Sequence, residues 1–330
     1  MASANDCAVA LAETVSGSVE DFCQLMNSRA KELGSTNSNF ANPHGLDDVT
    51  QQSTAADLAK IMQCCLQNET FVAILSTNYY AVGPTNKSSE AHTFSNIYRM
   101  IPGGWYQHSD VICGKSGYTP QATNSLVTYA YLQEQQMGLI VVTMKCESEK
   151  NACADTANLL EYTEQNYHTE QLNLPGELDL SVKAGNFTAV VASSESNCIL
   201  ANNGKTTVQK YSSNNVILPN TVTAKSLTYK TQLQDGLKDI QVSNNVGEIC
   251  FYTGDILVAK RTLVAASPIL AATSGSIQQG VFDILSKSLW FVMKVLIGLI
   301  IVLSIVVLAI RRYNLNRRKR RRRRRRETGG

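Results

Sequence analysis

Val111-Ile112-Cys113-Gly114-Lys115-Ser116-Gly117-Tyr118-Thr119 is an apolar run that turns polar at a lysine and a serine placed between two glycines. Its composition predicts a β-strand. Two more runs of strand character follow, and the last is a continuous apolar stretch suited to the centre of a sheet. The three predicted strands cover residues 111–118, 124–132 and 138–145, with a hairpin turn at 135–138.

Amphipathic helices are predicted on both sides of these strands in the chain. Apolar residues recur at helical spacing over 19–33, again after Ser53-Thr54, and over 151–167. Helices, a sheet and a further helix predict an α/β layered domain in which helices pack on an antiparallel sheet.

The second half of the chain has a different pattern, in which short β-rich runs alternate with turns that contain Asn and Gly. A chain of 330 residues is also long for a single core. We therefore predict several parts: an α/β domain at 1–170, a small all-β domain at 171–265, a stalk at 266–289, a transmembrane helix at 290–310 and a tail at 311–330.

The C-terminus predicts the compartment. Residues 290–310 are almost wholly apolar, and at about 1.5 Å per residue they span the hydrocarbon core of a bilayer. Eleven arginines and one lysine then lie between 311 and 326. The positive-inside bias places this tail in the cytoplasm, where anionic lipid headgroups are its expected partner, and places the preceding residues outside. The rest of the chain is acidic, which argues against a nucleic-acid-binding protein.

Cysteine and histidine spacing gives no support to a metal site or a bound cofactor. None of the nine cysteines forms a Cys-x-x-Cys pair, and the four histidines are scattered. We interpret the cysteines mainly as small core residues.

Lys115, Ser116 and Gly117 are the first residues that predict a ligand site. A lysine and a hydroxyl on an edge strand are able to hold a carboxylate, and a glycine beside them lets a ligand backbone lie against the strand. A phosphate-binding P-loop would need a glycine where Ser109 stands, so that alternative is set aside.

A Ser-x-Asn element well upstream of a Lys-Ser-Gly strand is a stronger signal than either motif alone. In these motifs the chain resembles the serine-type D-Ala-D-Ala carboxypeptidases, the low-molecular-mass penicillin-binding proteins. The resemblance covers about residues 1–168, and residues 175–265 are similar to the accessory domain of that family. The matching motifs are Ser3-Ala4-Asn5, Asn42-Pro43-His44-Gly45-Leu46, Ser53-Thr54-Ala55-Ala56-Asp57-Leu58-Ala59 and Gly114-Lys115-Ser116-Gly117-Tyr118-Thr119.

The resemblance implies a β-lactamase/transpeptidase-like fold and removal of the terminal D-Ala from peptidoglycan stem pentapeptides through an acyl-enzyme, with β-lactams as substrate mimics. Carried over to this sequence, Ser3 would pass a proton to the leaving amine and Asn5 would hold the substrate amide. Lys115 and Ser116 would bind the terminal carboxylate beside Gly117.

Several positions depart from the family pattern. Ala4 replaces the usual glycine, Ser116 replaces the usual threonine, and Gln121-Ala122-Thr123 replaces a small Ala-Gly step. The Ser-x-x-Lys that supplies the nucleophile and its base is missing from its place before Ser3. The chain contains this pattern once, at residues 28–31, where it follows the Ser-x-Asn element and Ser28 lies about 180° from the centre of the apolar helix face.

Residues 1–12 have no signal peptide, although the anchor predicts an exported protein. We therefore expect that the sequence begins downstream of the true start, and that these 330 residues are not acylated and release no D-Ala. One alternative is a non-catalytic envelope protein that binds peptidoglycan. A generic single-pass receptor would explain the topology but not the motifs. His44, which lies between a proline and a glycine, is predicted to fix a loop.

Overall fold

A computed structural model describes residues 2–182, 185–192, 195–212 and 214–268. The helices and strands within them are α1 (Asn5–Ser16), α2 (Val19–Glu32), α3 (Ala55–Cys65), α4 (Glu69–Ser76), β1 (Tyr79–Val82), β2 (His92–Ser95), β3 (Val111–Thr119), β4 (Thr123–Leu132), β5 (Met137–Cys146), α5 (Glu149–Asn166), β6 (Tyr167–Gln171), β7 (Leu178–Val182), β8 (Gly185–Val191), β9 (Glu195–Asn202), β10 (Lys205–Ser212), β11 (Asn215–Pro219), β12 (Thr228–Leu233), β13 (Asn245–Thr253) and β14 (Ile256–Ala265).

Side-chain oxygens cap four of the helices at the N-terminus. Ser18 accepts a hydrogen bond from the third residue of α2, and Thr54, Asn68 and Ser148 do the same for α3, α4 and α5. Each cap satisfies a backbone N–H that has no partner within the helix. The predicted helices α2, α3 and α5 are confirmed, whereas α1 and α4 were not predicted.

Strands β3, β4 and β5 form an antiparallel sheet in the order β3-β4-β5. Lys115 pairs with Val127 across the first ladder, and Tyr129 pairs with Ile140 across the second. The central strand is therefore β4, and the expectation that β5 lies at the centre was wrong for the sheet as described. Helices α3 and α5 both contact β5. A strand that is covered by helices on both faces is apolar along its whole length, which explains the apolar run.

Two apolar clusters fill the space between the sheet and the helices. Strand β4 contributes to both, because its successive side chains point to opposite faces. The first cluster lies on the α5 side and contains Tyr98, Met100, Ile101, Val111, Leu126, Ala130, Val141, Ala152, Cys153 and Leu160. The second involves α3, α4 and β9 and contains Met62, Val72, Leu75, Cys113, Tyr129 and Ile199.

The hairpin of β9 and β10 contacts the first half of the chain. Ile199 packs in the second cluster, the Asn203 Oδ1 accepts a 3.0 Å hydrogen bond from the backbone N–H of Asn78, and the Gly204 N–H donates to Ser76 Oγ at 3.2 Å. A separate five-stranded sheet has the order β12-β13-β14-β8-β7. The domain boundary expected at residue 170 stays a prediction.

By their contacts, the described residues divide into two units. One contains residues 2–178, 189–234 and 245–264, and the other contains 179–188, 235–244 and 265–268. Among the described residues no helix has the length and apolar character to cross a membrane. The predicted span at 290–310 and the tail at 311–330 lie outside the described residues, as does the predicted stalk beyond residue 268.

Four of the described cysteines are buried in the protein interior. Cys23, Cys113, Cys153 and Cys250 have this position, whereas the free thiols of Cys7, Cys64, Cys65 and Cys146 are partly or fully exposed. Burial raises the pKa of Cys113 to about 12, so this thiol stays protonated as an apolar core group.

Tyr98 packs directly beneath strand β3. Its ring is 1% exposed, and its hydroxyl shares a 2.5 Å hydrogen bond with Thr128 on β4. A Cβ placed on Gly114 would lie 2.3 Å from the Tyr98 ring. Gly114 is therefore required by this contact, because no larger residue leaves room for the aromatic ring.

We expect Gly114→Ala to destabilise the protein by about 1–3 kcal/mol, because the added methyl group forces Tyr98 or β3 to move. Urea unfolding followed by circular dichroism measures the change. Gly117→Ala on the same strand is the matched control, since its Cβ would meet nothing within 4 Å. Equal stability of the two variants would contradict this account of Gly114.

Asp57 is a buried carboxylate that orders the chain before the loop at 40–46. It accepts hydrogen bonds from the backbone N–H of Asn37 at 2.8 Å and from Ser38 Oγ at 2.9 Å, and Lys60 Nζ lies 3.5 Å away. Burial by itself raises the pKa of Asp57, but these donors outweigh it, and the net pKa lies below the ordinary value.

A lowered pKa in the folded state means that ionised Asp57 stabilises the fold above the unfolded pKa of about 4, and that this contribution is lost as the pH falls through the folded pKa. We therefore expect Asp57→Asn to lower the midpoint of thermal unfolding at pH 7, with a difference from the wild type that shrinks below about pH 4. Glu161→Gln, which removes an exposed carboxylate from α5, is the control. A difference that stays constant with pH would refute the assignment.

Candidate active site

A cavity of about 740 Å³ brings together residues from distant parts of the chain. The predicted site residues Ser3, Asn5, Lys115, Ser116 and Gly117 all line it. The start of the chain and strand β3 therefore meet around one space. The roles assigned to these residues by resemblance stay predictions.

Strand β3 supplies the cation of the cavity. Because Gly114 faces the buried Tyr98 ring, the next residue along the strand, Lys115, lies on the cavity side. The Lys115 ammonium donates a hydrogen bond to the carbonyl oxygen of Ser116. The side chain as a whole is solvent-accessible, but partial burial of the ammonium group lowers the pKa of Lys115.

Ser3 and Asn5 stand at the start of α1 and are exposed to solvent. Ser3 has a φ of 56°, an unusual value for a residue with a side chain. Within the described part of the chain, neither side chain has a hydrogen-bond partner. Their hydroxyl and amide groups are therefore free to bind a ligand.

The loop at 40–46 also lines the cavity and is held in place by side-chain hydrogen bonds. Asn27 on α2 bonds the backbone of Phe40 twice, accepting from its N–H at 2.7 Å and donating to its carbonyl at 3.0 Å. Asn42 accepts from the Gly45 N–H, and His44 Nδ1 accepts from the Leu46 N–H at 3.2 Å. As predicted, His44 fixes a loop.

A second cavity of about 490 Å³ continues along β3 toward the turn at 121–123. It shares Lys115, Ser116 and Gly117 with the first cavity and adds the carboxylates of Asp47 and Asp48. Lys115, Ser116 and Gly117 on β3 thus line both cavities, and each cavity contains at least one acidic residue.

The turn after β3 accommodates its unusual sequence through backbone strain. Thr123 has a φ of 53°, a left-handed value that is unfavourable for a residue with a side chain, and the Ala122 N–H donates to Thr119 Oγ1 at 2.9 Å. The replacement of the small Ala-Gly step by residues 121–123 thus coincides with a strained backbone position.

Ser28 does not belong to the site. It is exposed on α2 and does not line the cavity that contains Lys115. Two charged lining residues, Arg99 and Glu149, were not predicted from the sequence. Arg99 lies in the segment between β2 and β3, which has neither helical nor strand periodicity to reveal it.

Comparison with known proteins supports the family resemblance noted in the sequence. The model of the D-alanyl-D-alanine carboxypeptidase family, peptidase S11, matches residues 1–148. The D-alanyl-D-alanine carboxypeptidase DacA of Haemophilus influenzae is 34% identical over 169 residues, which are 51% of this chain and 40% of the relative. DacF of Bacillus subtilis is 32% identical over 173 residues, 52% of this chain and 42% of the relative. The chain thus spans about two fifths of the length of these curated relatives.

Solved structures share the fold. Penicillin binding protein 5 from Haemophilus influenzae superposes with a TM-score of 0.58 at 23% identity, covering 81% of this chain and 71% of that one. The carboxypeptidase DacD from Francisella tularensis gives a TM-score of 0.52 at 19% identity, covering 82% and 73%. Residues 1–148 of this chain are thus similar to the D-alanyl-D-alanine carboxypeptidase family.

Proposed function

We propose that this chain carries the substrate-recognition part of a serine-type D-Ala-D-Ala carboxypeptidase that acts on peptidoglycan stem peptides. The observation that carries the proposal is the convergence of Ser3, Asn5, Lys115, Ser116 and Gly117 on one cavity, although more than a hundred residues separate the two groups. A hydroxyl, an amide and an ammonium around one space are the groups that a peptide terminus needs.

In this proposal the terminal carboxylate of the peptide lies at Lys115 and Ser116. Gly117 carries no side chain, so the ligand backbone is able to approach the edge of β3. Asn5 binds the amide next to the scissile bond, and Ser3 passes a proton to the leaving D-Ala. β-Lactams, which mimic the substrate in this family, would occupy the same space.

The finer architecture is also proposed. Residues 171–265 form the β-rich accessory domain, and the apolar segment at 290–310 anchors the protein in a bacterial cell membrane. The arginines of the tail then bind anionic headgroups on the cytoplasmic side, with the carboxypeptidase domain outside the cell. The continuous apolar run and the adjacent arginines in the sequence support this topology.

A non-catalytic envelope protein that binds peptidoglycan is the second candidate. One observation favours it: the single Ser-x-x-Lys of these 330 residues has an exposed serine, Ser28, outside the cavity. Covalent labelling of the protein by a fluorescent penicillin in its native host would support the carboxypeptidase. Reversible binding of peptidoglycan without such labelling would support the second candidate.

We expect Lys115→Ala to weaken binding of N,N′-diacetyl-L-Lys-D-Ala-D-Ala by about tenfold or more, because the substitution removes a charge-assisted hydrogen bond to the terminal carboxylate. Isothermal titration calorimetry measures the affinity. The peptide amidated at its C-terminus should bind the wild type as weakly as the free acid binds the variant, and Lys31→Ala on α2 is the matched control. Undiminished binding of the amidated peptide would contradict the proposed carboxylate site.

The affinity of the peptide carboxylate for Lys115 should also depend on pH. Lys115 carries its charge below its pKa, which partial burial lowers from the ordinary value of 10.5. Affinity for the peptide should therefore fall as the pH rises through the lowered pKa, and Lys115→Ala should show no such fall.

We expect these 330 residues to release no D-Ala from the same peptide, since Ser3 and Lys115 would position a substrate but, in the described part of the chain, no activated serine lines the cavity. Chromatographic detection of free D-Ala measures turnover, and Ser28→Ala should behave like the wild type. Release of D-Ala that depends on Ser28 would overturn the interpretation of residues 28–31.

A further inference from the structure

Arg99 is a second cation of the cavity that the proposed function does not use. It is half-buried in the segment between β2 and β3, and its guanidinium lies 4.9 Å from the centre of the Trp105 ring. One nitrogen also donates a long hydrogen bond, 3.5 Å, to the carbonyl oxygen of Asn96. A cation–π contact of this kind restrains a guanidinium without neutralising its charge.

The backbone at Arg99 also has close contacts. The Arg99 carbonyl accepts a 3.1 Å hydrogen bond from the Tyr106 N–H, and a Cβ on Gly104 would lie 2.1 Å from the same oxygen. Its neighbour Tyr98 is held in the core by Thr128. Arg99 is thus presented to the cavity by a rigid segment, which reduces the entropy lost on binding a ligand.

No carboxylate of the described residues pairs with this guanidinium. Glu149, the only acidic residue lining the same cavity in the described part of the chain, is not within 4.0 Å of it and lies in the first turn of α5, where the helix dipole favours a negative charge. A guanidinium without a carboxylate partner has N–H donors available to an anionic ligand. The planar fork of a guanidinium matches a carboxylate in particular.

We propose that Arg99 binds a second carboxylate of the peptide whose C-terminal carboxylate lies at Lys115 and Ser116. This inference rests on the proposed function and narrows its substrate class to peptides with an acidic group upstream of D-Ala-D-Ala. Trp105, which is 80% exposed, acts as a positioning residue that keeps the guanidinium over the cavity.

A matched pair of peptides tests the proposal without any substitution. N-acetyl-L-Glu-D-Ala-D-Ala and N-acetyl-L-Gln-D-Ala-D-Ala have nearly the same shape and differ by one carboxylate. For the wild-type chain at low ionic strength, calorimetry should show about tenfold tighter binding of the Glu peptide. In Arg99→Gln the ratio of the two affinities should fall to about one, and in Arg99→Lys it should be intermediate because the charge remains without the fork.

Lys31→Gln, which removes an exposed charge from α2, should leave the ratio at its wild-type value. Equal binding of the two peptides by the wild type, or a preference that survives in Arg99→Gln, would overturn the inference and leave the proposed carboxylate site intact. Failure of the wild type to bind either peptide would defeat the proposed function as well. The wild-type comparison decides the matter even where Arg99→Gln does not fold.

Discussion

The contact between the Tyr98 ring and Gly114 organises the whole site. It joins the segment after β2 to strand β3, and the hydrogen bond between the Tyr98 and Thr128 hydroxyls extends the connection to β4. Burial raises the pKa of Tyr98, so the hydroxyl stays neutral and costs little to bury with its partner. The residues that follow the two contact positions, Arg99 and Lys115, both line the cavity. One packed ring thus fixes both cations.

Much of this arrangement was predictable, because it follows from periodicity and local chemistry. The residue composition predicted β3 and β4, and apolar residues at helical spacing predicted α2 and α3, which begin after the capping residues Ser18 and Thr54. Lys115 and Ser116 were predicted as ligand groups from their residue types and their place on a strand. These signals come from residues that are close together in the chain, so they are visible in the sequence alone.

Other features depend on contacts that a single sequence does not contain. Arg99 follows no periodic pattern, and its place in the cavity results from the packing of Tyr98 one residue earlier. Helix α1 begins without a side-chain cap at Ala4 and buries only Ala12, so its amphipathic signal is weak. The β9–β10 hairpin pairs locally, yet its docking through Ile199 on the second cluster required the tertiary structure.

In the proposed function, the residues that line the cavity bind a ligand but do not attack it. Lys115, Asn5 and Arg99 offer charge and hydrogen bonds that are available in the ground state, and such groups lower a dissociation constant without accelerating a reaction. Acceleration needs a nucleophile within reach of the bound carbonyl, and Ser28 is exposed on α2 outside the cavity. If the proposed function holds, the affinity of this chain for peptides would therefore measure recognition alone, separately from catalysis.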